Sequence, residues 1–360
     1  MADLMRVMLT SDSSGDVWRY SLELARGLAR ARIEPVLAVL GPAPATARMA
    51  EAAAIAGLHV ILTGLPADHA VANEAELREA GAALAGLAAR LRADTVHLHT
   101  PALAAEVPWP VPVVAVAHAD VGTWWKATQR EPMPDAFVWR VAALARGLAE
   151  ADVVVAPTRS FARALTWLYR PGRAIEVVPF GRSYMPTPPC PRRPSVLACG
   201  SLDDDGDNVV LLDRAAALLD VPVLVAGARG GRHSPAADLT SVTQLGPLDG
   251  PALASRMAEA SVFAAPARYE PFGVAVLEAA QAGMALALSD IPTFRELWDG
   301  AALFFHPDDA SALAYVCRRL LTRPEEAAAR ARYHAEKYAA THMVEATLAL
   351  HRPLAGQCVA

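Results

Sequence analysis

Two carboxylates stand eight positions apart in the stretch Ala267-Arg-Tyr-Glu-Pro-Phe-Gly-Val-Ala-Val-Leu-Glu-Ala-Ala-Gln-Ala-Gly283. Glu270 sits in a loop just before Pro271. Glu278 lies inside a helical run, Val274 to Ala282, whose other residues are apolar apart from Gln281. A carboxylate on so apolar a helix is costly to bury unless partners satisfy it. Sugar hydroxyls are suitable partners, because each can donate to a carboxylate oxygen. The backbone N–H groups of Phe272, Gly273 and Val274, at the start of that helix, face the same space and suit anionic or polar ligand atoms. A plainer reading makes Glu278 a solvated face residue and Glu270 a helix-terminus charge. The residue types alone leave both open.

Other residues with chemical potential lie in the first half. Gly15 precedes a helical pattern, where a glycine lets backbone approach a phosphate or sugar, or simply makes a turn. Asp16 beside it would repel a diphosphate or cap the helix. His118 ends the apolar run Val111–Ala117, either presented to a ligand or bonded to backbone. Trp124 and Trp125 follow in an expected loop, as an acceptor-stacking surface or as core. His97 and His99 alternate on a strand and share one face. They lack a third partner for a metal site.

The elements that must position these residues alternate regularly. Leu4–Thr10, Pro35–Leu40, Leu58–Thr63, Thr95–His99, Val111–Ala117, Val153–Ala156 and Ile175–Pro179 read as strands, with helices near 16–31, 70–92, 137–150 and 159–169. A second series follows: Val196–Cys199, Val223–Ala226, Val242–Leu245, Val262–Ala265, Ala285–Leu288 and Ala302–Phe305. Its helices fall near 208–219, 250–259, 273–282 and 310–321. Near-continuous apolar strands alternating with helices predict parallel sheets covered on both faces. The series occurs twice, and the proline-rich stretch Met185–Pro194 separates the two. The expected fold class is α/β, with two Rossmann-like, doubly wound domains. Such sheets bind ligands at the carboxyl ends of their strands, so two facing domains place a ligand in the cleft between them.

The acidic stretch and its surroundings resemble the retaining, nucleotide-sugar-dependent family-four glycosyltransferases of the GT-B fold. Ala-Arg-Tyr-Glu-Pro-Phe-Gly followed by Glu278 matches that family's E-x(7)-E signature, and the later Leu-Ala-Leu-Ser-Asp-Ile-Pro292 agrees as well. Ser14-Gly-Asp-Val-Trp-Arg-Tyr-Ser-Leu-Glu-Leu-Ala25 resembles its first loop and helix. Val178-Pro-Phe-Gly181 resembles the end of its first domain, and Cys199-Gly-Ser-Leu202 the first strand end of its donor domain. The resemblance implies that Glu270 contacts donor-sugar hydroxyls, Glu278 the nucleotide ribose, and His118 the donor sugar and acceptor. It implies a domain over 1–184, with a last helix within 338–360 packing back on it, and a donor domain over 185–337. It further implies metal-independent transfer with no cofactor beyond the nucleotide-sugar, to a small-molecule, glycan or lipid-linked acceptor.

The chain departs from the family pattern at one place. After the first donor-domain strand the family reads Gly-Arg-x(5)-Lys-Asn, and the two cations face the leaving diphosphate. Here the run is Gly200-Ser-Leu-Asp-Asp-Asp-Gly-Asp-Asn208, with Ser201 at the Arg position and Asp207 at the Lys position. Phe180 also replaces a frequent asparagine. Arg229 or Arg232 in Ala226-Gly-Ala-Arg-Gly-Gly-Arg232, or Arg182 or Arg268, are candidate substitutes. The alternative expectation is a catalytically silent or atypical-donor GT-B protein, a pseudo-enzyme or partner subunit. A GT-B phosphorylase or epimerase has less in its favour, since no cofactor-lysine motif is visible. The acidic run fails the EF-hand pattern, with Ser201 and Leu212 at the first and last ligand places.

Whole-chain properties exclude several classes. In 360 residues, 54% are hydrophobic and 20% charged, which predicts a large core rather than disorder. A net charge of −5 without a basic tract speaks against a nucleic-acid partner. Cys190, Cys199, Cys317 and Cys358 are far apart and form no C-x-x-C pair, as in a reduced, cytoplasmic protein. The start of the chain does not read as a signal peptide, and Val274–Leu288 is too short to span a bilayer.

Overall fold

The computed structural model describes residues 4–13, 15–186, 190–230 and 238–356. Arg232, Ser14, Cys358 and the Thr187–Pro189 part of the proline-rich stretch therefore lie outside the described residues.

The chain forms two compact units. The first comprises Met1–Trp125, Glu131–Gly181 and Ala340–Ala360, and the second Lys126–Arg130 and Arg182–Ala339. The seam falls three residues before the 184/185 boundary expected from the prolines. The reason is local: Arg182 already bonds within the second unit, its N–H donating to Tyr338 O at 3.1 Å. That Lys126–Arg130 groups with the second unit was not legible in the sequence.

The first unit carries a seven-stranded sheet of β1 (Arg6–Asp12), β2 (Glu34–Leu40), β3 (His59–Leu62), β4 (Thr95–Leu98), β5 (Val113–Val116), β6 (Val153–Ala156) and β7 (Ile175–Val177). All its pairings are parallel, in the order β3-β2-β1-β4-β5-β6-β7. Val7, Met8, Leu9, Leu37, Val96 and Val114 are essentially fully buried, as expected of strands covered on both faces. Helices α1 (Gly15–Arg30), α2 (Thr46–Ala53), α3 (Glu74–Leu91), α4 (Val121–Thr128), α5 (Asp135–Glu150) and α6 (Arg159–Tyr169) follow in chain order. Asn73 caps α3 by accepting from Glu76 N–H, and Glu76 returns a bond to Ala72 N–H, so the helix starts at Glu74 rather than 70.

The second unit carries β8 (Arg193–Cys199), β9 (Val223–Ala226), β10 (Thr243–Gly246), β11 (Ala260–Ala265), β12 (Ala285–Ser289) and β13 (Leu303–Phe305). They pair in parallel in the order β10-β9-β8-β11-β12-β13. Its helices are α7 (Val209–Ala216), α8 (Gly250–Glu259), α9 (Val274–Gln281), α10 (Pro292–Trp298), α11 (Ala310–Thr322) and α12 (Pro324–Ala335). Val196, Val262, Ala264, Leu313 and Cys317 form part of its core.

The last helix, α13 (Ala340–Ala355), packs on α1 in the first unit. Gly27 makes the close approach possible, since a Cβ there would stand 2.3 Å from a Val344 methyl. Both sheets reverse strand order once, between β1 and β4 and between β8 and β11. The crevice beyond the carboxyl ends of such a pair is where open α/β sheets present ligand-binding loops. Among the described residues no helix is long and apolar enough to cross a membrane.

Candidate functional site

In the second unit, the loops after β8 and β11 meet at the strand-order reversal. Asn208 fastens them: its side-chain amide donates to Pro266 O and Pro307 O, both at 2.8 Å. Its φ of 56° places it in the left-handed region, which asparagine tolerates better than most residues. Gly206 O accepts from Arg268 N–H at 2.8 Å. Glycine is required where the strand ends crowd, because a Cβ at Gly227 would stand 1.7 Å from Gly200 O.

Glu270 occupies the loop after β11, and its Oε1 accepts from Gly273 N–H at 2.9 Å and Phe272 N–H at 3.2 Å. The carboxylate thus closes the turn ahead of α9. This corrects the expectation that the Phe272 and Gly273 N–H groups stand open to a ligand: in this state Glu270 takes them. Gly273 has φ 85°, and Val274 is the first residue of α9. Glu278, on α9, is not a solvated face residue. The Arg182 guanidinium donates to its Oε1 through Nη2 at 2.8 Å and Nε at 3.0 Å. The two side chains are only 12% and 17% exposed. Gln281 donates to Arg182 O at 3.0 Å, so the one polar neighbour on α9 also holds this arginine. Arg182, Glu278 and Gln281 line a small pocket with Tyr184, Met185 and Gly250.

Ser201 and Asp207 come together after β8, where Ser201 N–H donates to Asp207 Oδ2 at 2.7 Å. Asp207 therefore closes its own loop. Asp204 likewise accepts from Gly206 N–H at 2.6 Å. Arg229 is not an unengaged cation: Nη1 lies 3.3 Å from Asp203 Oδ1, and Nε and Nη2 reach Gln244 Oε1 at 3.2 and 3.1 Å. Arg268 pairs with Asp308 at 2.8 Å, and that guanidinium holds the Asp308 carboxyl below its usual range.

In the first unit the reversal gathers a histidine cluster. His118 follows β5, half-buried, and its Nε2 lies 2.7 Å from His99 Nδ1. His99 Nε2 lies 3.0 Å from Ser21 Oγ on α1. His97 Nδ1 meets His351 Nε2 of α13 at 3.0 Å, and His351 Nδ1 meets Thr95 Oγ1 at 2.7 Å. Tyr20 packs its ring edge-on to His99, His118 and Phe180. Burial pushes His118 down to about 3 and His351 to about 4, and holds His97 and His99 well below the usual imidazole value, so the cluster is neutral. Gly15 has φ 69° with open space where a Cβ would go. Trp124 and Trp125 lie in the helix α4, not a loop. Trp124 is buried, and Trp125 donates to Glu131 O at 2.8 Å. Among the described residues no group of three His, Cys, Asp or Glu side chains is placed to hold a metal ion.

Two family models match this chain: Glycosyltransferase Family 4 over residues 17–182, and Glycosyl transferases group 1 over residues 193–323. They fall one on each unit. The chain belongs to the family-four glycosyltransferases. It is 28% identical over 268 residues to glycogen synthase from Mycobacterium tuberculosis. That alignment takes in 67% of this chain but only 63% of the relative's length. Sucrose-phosphate synthase from Thermosynechococcus elongatus has the same fold, with a TM-score of 0.79 at 19% identity over 97% of this chain and 99% of that one. Anabaena Alr3699/HepE, solved in complex with UDP-glucose, superposes with a TM-score of 0.71 at 15% identity, over 96% and 99% of the two chains. The fold is GT-B.

Ser201 and Asp207 stand where the family resemblance leads one to expect Arg and Lys, and Asp207 accepts a backbone amide. Two further residues left no sign in the sequence, and a third, Arg182, has a role different from the one expected. Arg182 was weighed only as a phosphate ligand, and it holds Glu278. Ser21 and His351 carry no motif of their own, and His351 is 254 positions from His97. The alternation of His97 and His99 was the one available signal of the cluster.

Proposed function

We propose that the protein transfers a sugar from a nucleoside diphosphate sugar to an acceptor hydroxyl, with retention at the anomeric carbon. The observation that carries this reading is the pair of acids at the second unit's strand-order reversal. Glu270 closes the loop after β11, and Glu278 is held in place on α9 by Arg182. In this scheme Glu270 binds sugar hydroxyls and Glu278 the ribose. Phe272, Gly273 and Val274 line the sugar once Glu270 shifts toward it. Gly15 and His118 are the first unit's own candidates for substrate contact. The likeness to a protein solved with UDP-glucose makes that compound the first donor to test.

Transfer proceeds on one face of the sugar. The bond from the anomeric carbon to the diphosphate oxygen breaks, and the acceptor oxygen bonds the same carbon from the same side. The acceptor proton passes to the departing phosphate oxygen, so no side-chain base is needed. The charge that develops on the diphosphate requires donors around it. Arg229 and Arg268, held in partly exposed ion pairs with Asp203 and Asp308, supply them in place of the absent Arg and Lys. No metal ion or cofactor enters this scheme, and a soluble, cytoplasmic setting suits it.

A calorimetric screen of nucleoside diphosphates and their sugars on the full chain tests the proposal. Binding of at least one nucleotide-sugar, weakened by Glu278→Gln, is the expected result. Absence of binding across the screen favours the catalytically silent reading, which the substitution of both cations by Ser201 and Asp207 motivates.

A further inference from the structure

The histidine string in the first unit has a direction, and hydrogen-bond arithmetic fixes it. Ser21 Oγ lies 2.8 Å from Val17 O, one turn back on α1, and 3.0 Å from His99 Nε2. A carbonyl oxygen only accepts, and two oxygens at 2.8 Å repel unless a proton lies between them, so the single hydroxyl proton of Ser21 points at Val17. Toward His99, Ser21 can then only accept. His99 Nε2 must carry a proton and donate it. Buried and neutral, His99 has one N–H, so its Nδ1 is a bare lone pair. That lone pair faces His118 Nε2 at 2.7 Å, which must in turn be the protonated nitrogen of His118.

We infer that Ser21 and His99 act as positioning residues that lock His118 in its Nε2–H tautomer, leaving Nδ1 as a bare acceptor for a substrate hydroxyl. Among the described residues the His118 ring makes no other hydrogen bond than the one to His99. Its ring plane is fixed by Tyr20 at 5.2 Å and Phe180 at 4.8 Å between centroids. A bare, neutral nitrogen repels phosphate oxygens and carboxylates, which are acceptors themselves. It pairs with a group that donates, and in a sugar-transfer reaction that group is a hydroxyl. His118 is therefore not a substitute for the missing cations and does not act as a general acid. Its role is to select a hydroxyl-bearing substrate in one orientation. This extends the sugar-transfer reading, but the tautomer itself is a property of the protein alone.

The test is long-range proton–nitrogen NMR on the full chain with 15N-labelled histidine, with signals assigned by His118→Gln and His99→Phe. In the native protein His118 should show a pyrrole-type Nε2 and a pyridine-type Nδ1. Ser21→Ala removes the acceptor for His99 Nε2–H. The string then reverses, because an outward Nδ1–H on His118 can bond water, and His118 should shift predominantly to its Nδ1–H form. His99→Phe keeps the ring volume and should leave His118 a mixture of both tautomers. The unchanged His351 signals report that the fold survives. A pyridine-type Nε2 on native His118 overturns the inference, and so does an unaltered His118 in Ser21→Ala. Both readings are taken without ligand, so they stand or fall separately from the proposed function. With UDP-glucose added at concentrations where calorimetry shows binding, a shift of the His118 Nδ1 resonance that UDP alone does not produce supports the hydroxyl contact. Bound UDP-glucose that leaves Nδ1 unmoved overturns that contact.

Discussion

Removing Arg182 should loosen the second unit around α9. In Arg182→Met the apolar stem is kept and the guanidinium is lost, which leaves the Glu278 carboxylate at 17% exposure without its two charge-assisted bonds at 2.8 and 3.0 Å. A hydrogen bond to a charged group contributes about 1.5–3 kcal/mol. Breaking a fully buried pair costs about 3–5 kcal/mol. The residual exposure of both side chains puts this pair near the lower bound, so a loss of about 2–3 kcal/mol is expected. At about 1.4 kcal/mol per tenfold, amide exchange in α9 should speed up about 30- to 150-fold by hydrogen–deuterium exchange. Replacing both partners, Arg182→Met with Glu278→Met, removes the carboxylate together with its arginine and should recover at least half of the protection. Acceleration of less than about fivefold in the single variant, or no recovery in the double, would show that Arg182 does not hold Glu278.

Three further outcomes follow from the same geometry. Gly227→Ala should cost the second unit about 3 kcal/mol or more, since its Cβ would stand 1.7 Å from the Gly200 carbonyl oxygen, and thermal unfolding reads the loss. The first unit should lose stability as pH falls. Its histidines are neutral when folded, with His351 at about 4 and His118 at about 3, against about 6.5 unfolded. Between about pH 6.5 and 4 the unfolded chain binds protons that the folded one refuses, so stability is full above 6.5 and drains below it. His351→Asn should flatten that fall in a urea series, and an unchanged pH profile would count against the buried neutral cluster. The double change Ser201→Arg with Asp207→Lys restores two cations and removes one carboxylate. It should tighten UDP binding in calorimetry, with the gain shrinking as salt rises. A loss of stability accompanies it, because Ser201 N–H loses its acceptor. No gain at low salt would show that this loop does not face the diphosphate.

The central strands were legible because they are short β-branched or apolar runs buried on both faces, whereas the edge strands β3, β7 and β10 keep exposed positions. Val153–Ala156, Val223–Ala226 and Val262–Ala265 could be read without long-range information. The helices α2, α4, α10 and α12 were not. In α12 the buried positions are Ala327, Ala331 and Ala335, too small to print a clear apolar stripe among Glu and Arg. Trp124 and Trp125 read as a loop because β-branched and aromatic residues are weak helix formers, and tertiary packing overrides that preference. At the site, the E-x(7)-E spacing was visible, but what its members touch was not. Glu270 occupies the Phe272 and Gly273 amides, and Glu278 takes Arg182, a residue 96 positions earlier. Ser201 and Asp207 depart from the two cations that the family resemblance leads one to expect. Only in the fold is it visible that Asp207 turns its charge onto a backbone amide and that Asp203 engages Arg229.

The measurement that bears most directly on sugar transfer is isothermal titration of the full chain with UDP-glucose, comparing the native protein with Glu278→Gln and Glu270→Gln. Saturable binding is expected, weakened in each variant by about 1.5–3 kcal/mol, or roughly ten- to 150-fold, the usual worth of a hydrogen bond to a charged group. UDP alone should lose affinity with Glu278→Gln but not with Glu270→Gln, because the proposed scheme puts only Glu278 against the nucleotide. Equal affinities in all three proteins, with α9 still protected in the variants, would contradict the placement of the donor on these two carboxylates.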